Sequence, residues 1–151
     1  MDLIDFERRW NEKPLLRKVY SDFFRRALSE FVEGPSLEIG GGLGKFHEFA
    51  PEVLVSDIQF SSYMTLCADA HNIPFRKGSL GNIVGFDVLH HFQYPFEFLK
   101  EAARVLRPGG RLVLIEPAWY LYFCTSNLLV VYSAPLLMYC VHATQWMTPR
   151  L

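Results

Sequence analysis

A glycine-rich turn between a predicted strand and a predicted helix constrains the fold of this chain more than any other feature. Residues 38–44 follow the pattern E-x-G-x-G-x-G. An apolar run at 36–39 predicts a strand before the turn, and the pattern at 43–50 predicts a short helix after it. Glycine suits the turn because it adopts positive φ and because a ligand can lie against a backbone without Cβ. This geometry is typical of a site for a nucleotide-like ligand at the end of a parallel strand.

Short apolar runs alternate with helical patterns along the rest of the chain. Strands are predicted near 36–39, 53–56, 64–67, 82–88 and 111–116. The alternation predicts an α/β protein, a Rossmann-like three-layer sandwich with a parallel sheet. Right-handed crossovers favour the strand order 3-2-1-4-5. An antiparallel pairing of the first and fourth strands would contradict this prediction.

Five motifs in one order resemble the class I S-adenosylmethionine-dependent methyltransferases, most closely their type 11 small-molecule branch. The most specific motif is L-x-x-x-x-R-V-L-x-P-G-G, from Leu99 to Gly110. The others are the glycine-rich turn at 38–44, Asp57, the run 68–70 and the run 86–91. The resemblance covers residues 34–117 and implies S-adenosyl-L-methionine as cofactor. It also implies in-line methyl transfer to a small-molecule acceptor.

The resemblance assigns the first group of cofactor-binding residues to the glycine-rich turn and the second strand. Gly40, Gly42 and Gly44 would let the methionyl part of the cofactor approach the backbone. Glu38 would lie beneath the turn and order it by accepting hydrogen bonds from backbone N–H groups. Asp57, at the end of the second strand, would accept hydrogen bonds from the ribose hydroxyls.

The remaining candidates follow the third and fourth strands. Asp69 and the backbone of Ala70 would bind the amino edge of adenine, and Asp87 would face the cofactor or the acceptor. His90 and His91 are the catalytic candidates, since a histidine can act as a general base near neutral pH. The alternative is that each histidine packs the following loop. No cysteine and histidine spacing indicates a metal site, so no metal ligand is assigned.

The chain divides into three segments by composition. Residues 1–33 form an N-terminal helical segment, with apolar residues at helical spacing from Leu15 to Phe31 and a predicted helix end at Gly34. Residues 34–117 form the S-adenosylmethionine-binding core. Residues 118–151 form an uncharged apolar tail that is predicted to be helical.

The tail carries no charged side chain between Pro117 and Pro149. Residues 118–141 are expected to be largely helical and to contact protein or lipid. Three alternatives stay open: a shortened chain without the C-terminal antiparallel strands of the family, a membrane-associated segment, or a helix pair over the acceptor site or a partner. The first alternative leaves the fifth strand as an exposed edge, which favours self-association.

Composition bounds the partners and the compartment. The net charge is −1, so no electrostatic feature favours nucleic acid as a partner. Cys67, Cys124 and Cys140 are widely spaced and are predicted to be buried thiols in a reducing compartment. The acidic start is unlike a signal peptide. A cytoplasmic protein is expected, with membrane association left open by the tail.

Two other classes compete with a methyltransferase. A nicotinamide-dependent oxidoreductase shares the strand, turn, helix and acid, but its fingerprint is G-x-G-x-x-G and no Tyr-x-x-x-Lys constellation is present. A non-catalytic or membrane-tethered protein on a methyltransferase-like core is supported by the tail alone. Measured cofactor turnover would exclude the non-catalytic alternative.

Overall fold

The computed structural model describes residues 3–116, 128–133 and 137–142, with side chains from residue 5 to residue 116. The helices are α1 (Leu3–Glu12), α2 (Pro14–Ser29), α3 (Lys45–Phe49) and α4 (Pro95–Val105), with a 3-10 turn at Leu89–His91. The strands are β1 (Ser36–Ile39), β2 (Leu54–Asp57), β3 (Leu66–Cys67), β4 (Leu80–Phe86), β5 (Leu106–Glu116), β6 (Leu128–Ser133) and β7 (Leu137–His142).

All described strands form one sheet in the order β3-β2-β1-β4-β5-β6-β7. The first five are parallel, and β1 lies at the centre, where Leu37 pairs with Leu54 of β2 and with Ile83 of β4. The predicted parallel order 3-2-1-4-5 is confirmed. The chain runs from β1 to β2 on one side of the sheet and from β4 to β5 on the other side. Because the two connections diverge, a crevice opens beyond the carboxyl ends of β1 and β4.

Apolar side chains on both faces of the sheet make the three layers. On one face, α1, α2 and α3 bury an aromatic-rich cluster that includes Trp10, Phe24 and Phe46. On the other face, Phe98 and Ala102 of α4 pack on the central strands. Burial of this kind stabilises by about 25 cal/mol per Å² of apolar area. The fold therefore depends on both helical layers, and the N-terminal segment belongs to its core.

The N-terminal helical segment consists of two helices. The predicted amphipathic helix is α2, which starts at Pro14, where a missing N–H costs no hydrogen bond. Its stripe is buried at Phe24 and Ala27. α1 lies within the predicted helical segment 1–33, but the sequence analysis did not separate it from α2.

Strands β6 and β7 correct the prediction for the tail. β6 runs antiparallel to β5, with Tyr132 opposite Leu112, and β7 runs antiparallel to β6, with Cys140 opposite Val130. The predictions of a helix across 118–141 and of missing antiparallel strands are therefore wrong for these residues. An uncharged run does not distinguish a buried strand from a buried helix, and here the hairpin also pairs the edge of β5.

The other predictions for the tail fall partly outside the described residues, which exclude 117–127, 134–136 and 143–151. The expected contacts of 118–141 with lipid, a partner or another copy depend on side chains outside the described part. Among the described residues, no helix has the length and apolar character needed to cross a membrane.

Cys67 corrects the prediction of buried thiols. Its side chain is exposed at the end of β3, where Sγ lies 3.3 Å from the Ile58 carbonyl oxygen. β3 has two residues and forms the edge of the sheet, so its last side chain faces solvent. Cys124 lies outside the described residues, and the side chain of Cys140 is not described.

Candidate active site

A cleft of about 1110 Å³ lies at the carboxyl edge of the parallel strands. β1, β2 and β4 end at it, and residues from α1 and α2 close one side. All the predicted site residues except Gly44 line this cleft: Glu38, Gly40, Gly42, Asp57, Asp69, Ala70, Asp87, His90 and His91. Positions far apart in the chain thus meet where ligands of open α/β sheets bind.

The three predicted glycines divide into two roles. Gly40 has φ +66°, and a Cβ placed on it would lie 2.3 Å from Cγ2 of Val88. Gly42 also has positive φ, at 47°, and both residues line the cleft. Gly44 is buried at the start of α3, where an added Cβ would lie 2.9 Å from Cβ of Tyr63. Gly44 therefore packs the turn and does not face the cleft.

Asp57 orders the glycine turn. Its Oδ2 accepts a hydrogen bond of 3.1 Å from the Gly42 N–H, and its Oδ1 accepts one of 2.9 Å from the Gln59 N–H. The ordering role predicted for Glu38 therefore belongs to Asp57. A carboxylate has about four lone-pair sites, so both oxygens can still accept hydrogen bonds from a ligand.

Glu38 is a buried carboxyl beneath the glycine turn. The residue is 5% exposed, and no described residue hydrogen-bonds its Oε2. A Cβ placed on Gly41 would lie 2.9 Å from that oxygen. Burial, with a smaller contribution from the Asp57 charge, raises the pKa of Glu38 to about 8. An unpaired buried carboxyl is costly, so this position suits a ligand that brings a positive charge or a donor.

His71 is a cleft residue that the sequence argument missed. Asp69 Oδ1 lies 2.9 Å from the His71 backbone N and 2.7 Å from His71 Nδ1, and these bonds lower the pKa of Asp69. The His71 ring packs 5.3 Å from that of Phe92. Its Nε2 is buried and has no hydrogen-bond partner among the described residues. The predicted adenine ligand Asp69 is therefore oriented by its own neighbour, which directly follows the Asp-Ala pair.

Asp87 is held by a hydrogen bond from the N-terminal helices. Tyr20 of α2 donates its hydroxyl to Asp87 Oδ2 at 2.6 Å. Asp87 has φ +50°, an uncommon value for a residue with a Cβ. Burial is the main cause that raises the pKa of Asp87, and burial likewise raises the pKa of Tyr20. The Tyr20–Asp87 pair could not be predicted from the sequence, because Tyr20 is one of many residues at helical spacing on the apolar face of α2.

Glu116 fixes the turn that carries the two histidines. Its Oε1 accepts hydrogen bonds from the Val88 N–H at 2.9 Å and the Leu89 N–H at 2.8 Å. Its Oε2 lies 2.7 Å from His90 Nδ1. His91 is exposed, and its ring centre lies 4.1 Å from that of His90. Of the two catalytic candidates, His90 is thus the one that the structure pairs with a buried carboxylate.

Comparison with known proteins agrees with this fold. The family model described as a methyltransferase domain, Methyltransf_11, matches residues 37–114, just over half of the chain. The fold is that of the class I S-adenosylmethionine-dependent methyltransferases. The chain belongs to the Methyltransf_11 family of methyltransferase domains.

Individual relatives cover parts of the chain. It is 43% identical over 47 residues to 27-O-demethylrifamycin SV methyltransferase of Amycolatopsis mediterranei, a match covering 31% of this chain and 17% of that protein. It is 32% identical over 104 residues to probable tRNA methyltransferase 9B of Homo sapiens, covering 60% of this chain and 23% of that protein. The matches thus span less than a quarter of these two curated relatives.

A solved structure of similar fold is a methyltransferase from Thermotoga maritima described as a possible histamine N-methyltransferase. The TM-score is 0.64 at 24% identity, and the match covers 75% of this chain and 57% of that one. At this identity the likeness shows a shared fold.

Proposed function

We propose that this chain transfers a methyl group from S-adenosylmethionine to a small-molecule acceptor in the cleft. The observation that carries the proposal is the buried Glu38 carboxyl, which lines the cleft beneath the glycine turn and whose Oε2 lacks a partner among the described residues. Together with Asp57, Asp69 and Asp87 it makes the cleft rich in acceptors.

The chemistry of the cofactor fits this set of acceptors. S-adenosylmethionine carries a positive sulfur, an amino group, two ribose hydroxyls and the adenine amino group, which are cations or hydrogen-bond donors. Glu38 would hold the amino group, Asp57 the ribose, and Asp69 with the Ala70 backbone the adenine edge. The bound cofactor supplies a methyl group on a sulfonium, which needs positioning and exclusion of water more than activation.

The His90–Glu116 pair supports a role in proton removal from the acceptor. Glu116 is 6% exposed at its side chain and His90 is 16% exposed. A buried carboxylate on Nδ1 fixes the orientation of the imidazole and stabilises the charge that the ring gains with a proton. We assign His90 as the proton acceptor and Glu116 as its positioning residue. His91, which is exposed and has no such carboxylate in the described structure, is the weaker candidate.

The charge of the cleft favours a small molecule over RNA. The described lining has four carboxyl side chains, Glu38, Asp57, Asp69 and Asp87, and one lysine, Lys45. A phosphate backbone is bound by positive side chains, which neutralise it. The relatives named as probable tRNA methyltransferases make RNA the alternative acceptor, and one assay can compare both.

Calorimetry and a labelled-methyl assay test the proposal. Titration of the chain with S-adenosylhomocysteine is expected to show saturable binding at one site. Incubation with methyl-labelled S-adenosylmethionine and a small-molecule extract is expected to transfer label to the extract, while tRNA gains none. Absence of cofactor binding would overturn the proposal, and label in tRNA alone would replace the small-molecule acceptor with RNA.

Replacing Asp57 with alanine is expected to weaken binding of S-adenosylhomocysteine by roughly 1–3 kcal/mol, because polar partners on the turn and the ribose lose their acceptor. Calorimetry measures the change. The matched control is Asp22→Ala, which removes an exposed carboxyl from α2, paired with Arg25, and should leave affinity unchanged. Equal affinities for the Asp57 variant and the native chain would remove Asp57 from the site.

A further inference from the structure

We propose that Asp87, held in place by Tyr20, selects an acceptor that is uncharged and flat, with an apolar body and a hydroxyl group, and excludes anions. This inference rests on the proposed function and names the class of molecule that the acceptor end of the cleft takes. Its basis is the position of Asp87, the charge around it and the aromatic side chains beside it.

Asp87 presents a carboxyl to the cleft with one oxygen already fixed. Tyr20 donates to Oδ2, and the described structure provides no donor for Oδ1. The carboxyl lines the cleft, where it can accept a hydrogen bond from a ligand hydroxyl. The backbone is also constrained, since Asp87 has φ +50° and its N–H donates to the Ile115 carbonyl at 2.8 Å. Unusual φ values of this kind persist where surrounding contacts hold them, and they cluster at functional sites.

The charges around Asp87 disfavour a negative ligand. The buried Glu116 lies behind the same turn, and Asp57 and Asp69 also line the cleft. Lys45 is the one cationic side chain in the described lining apart from histidine, and its Nζ lies 2.6 Å from Glu48 Oε1. A carboxylate or phosphate would therefore enter a site with like charges and little compensation.

Aromatic rings beside Asp87 fit a flat apolar body. Phe6 of α1 and Tyr20 of α2 lie 6.2 Å apart in an edge-to-face arrangement, and both line the cleft. Phe86 continues this wall, and its ring centre lies 4.9 Å from that of the core residue Phe24. Rings of this kind bind another ring by offset or edge-to-face contact. Tyr20 joins the two features: its ring is part of the aromatic wall, and its hydroxyl donates a hydrogen bond to the Asp87 carboxyl.

Tyr20 is a positioning residue in this account, and it acts through the ionisation of Asp87. Its hydrogen bond lowers the pKa of Asp87, which burial and the Glu116 charge raise and which His90 and His91 lower when protonated. Loss of the Tyr20 hydroxyl therefore raises that pKa. Exclusion of anions needs ionised Asp87, so the pH at which exclusion sets in should move upward in Tyr20→Phe.

The test compares 2-naphthol with 2-naphthoate as probes, titrated fluorometrically into the chain saturated with S-adenosylhomocysteine. The two probes share the ring system and differ in charge. The native chain is expected to bind 2-naphthol at least about tenfold more tightly, a difference of about 1.4 kcal/mol. Asp87→Asn should remove most of this preference. Tyr20→Phe should lose the preference for 2-naphthol at acidic pH and regain it as the pH rises. The comparison is made over the pH range in which 2-naphthoate stays ionised and 2-naphthol stays neutral.

Tyr63→Phe is the matched control, because it removes the same oxygen from a tyrosine outside the described cleft lining and should keep the native pH profile. A chain that does not bind S-adenosylhomocysteine would refute the proposed function itself. With S-adenosylhomocysteine bound, this inference is overturned if neither probe binds, if 2-naphthoate binds as well as 2-naphthol, or if Asp87→Asn keeps the preference. A purely structural Tyr20 would lower the thermal midpoint of Tyr20→Phe without shifting the pH profile, and that result would also overturn it.

Discussion

Replacing Gly40 with alanine is expected to lower the free energy of unfolding by about 2–4 kcal/mol, the sum of a strained backbone and an overpacked contact. Gly40 has φ +66°, and the new Cβ would lie 2.3 Å from Cγ2 of Val88. Val88 cannot easily move away, because its N–H is bound to the buried Glu116. Denaturant unfolding in the absence of cofactor measures the loss.

Gly109→Ala separates the two contributions. Gly109 also has positive φ, at 78°, but an added Cβ there would meet no atom within 4 Å. Its substitution should cost about 1 kcal/mol, the backbone contribution alone. Similar losses for the two variants would show that the Val88 contact does not restrict the glycine turn.

Replacing Glu38 with glutamine is expected to stabilise the cofactor-free chain by about 1–3 kcal/mol near neutral pH, since the native carboxyl has a raised pKa. The pKa of Glu38 is about 8 in the folded chain, against an ordinary value of 4.5. The protonated carboxyl contributes its full stability below pH 4.5, the pKa in the unfolded chain. That contribution is lost as the pH rises through about 8, the pKa in the folded chain. Glutamine does not titrate, so the advantage of the variant should grow across this interval.

The same substitution should weaken binding of S-adenosylhomocysteine, because an amide cannot pair with the ligand's positive amino group as a carboxylate does. If Glu38 is buried because it binds the ligand, Glu38→Gln should make the cofactor-free chain more stable and make it bind the ligand more weakly. Unfolding curves across the pH interval and calorimetry measure the two effects. Glu97→Gln, on the exposed face of α4, is the control and should show neither effect. A stability difference that does not change with pH would contradict the raised pKa.

Much of the fold was predictable because local pattern and global topology agree in the core. The run at 36–39 is β1 with its predicted bounds, and the parallel order follows from alternating strands and helices. The tail was not predictable in the same way, because an uncharged stretch satisfies a helix, a membrane segment or a paired strand. Pairing with β5 decides the outcome, and that contact is not local in sequence.

The site shows the same division. The order of the motifs predicted that Glu38, Asp57 and Asp87 lie at one edge of the sheet, because the strands of a parallel sheet end there, and all three line the cleft. It did not show which carboxyl orders the glycine turn, since the Gly42–Asp57 hydrogen bond joins residues 15 positions apart. Nor did it show Tyr20, whose partner Asp87 lies 67 positions away. Sequence thus located the strand ends, while side-chain partners depended on packing.

Hydrogen exchange with and without S-adenosylhomocysteine tests most directly whether this cleft is the cofactor site. Backbone amides at 40–44, 57–59 and 69–71 are expected to exchange more slowly when the ligand is bound. Residues 107–110, at the start of β5 and away from the cleft lining, should be unchanged and serve as the internal control. Binding without protection of the glycine turn, or with protection confined to other segments, would contradict the account.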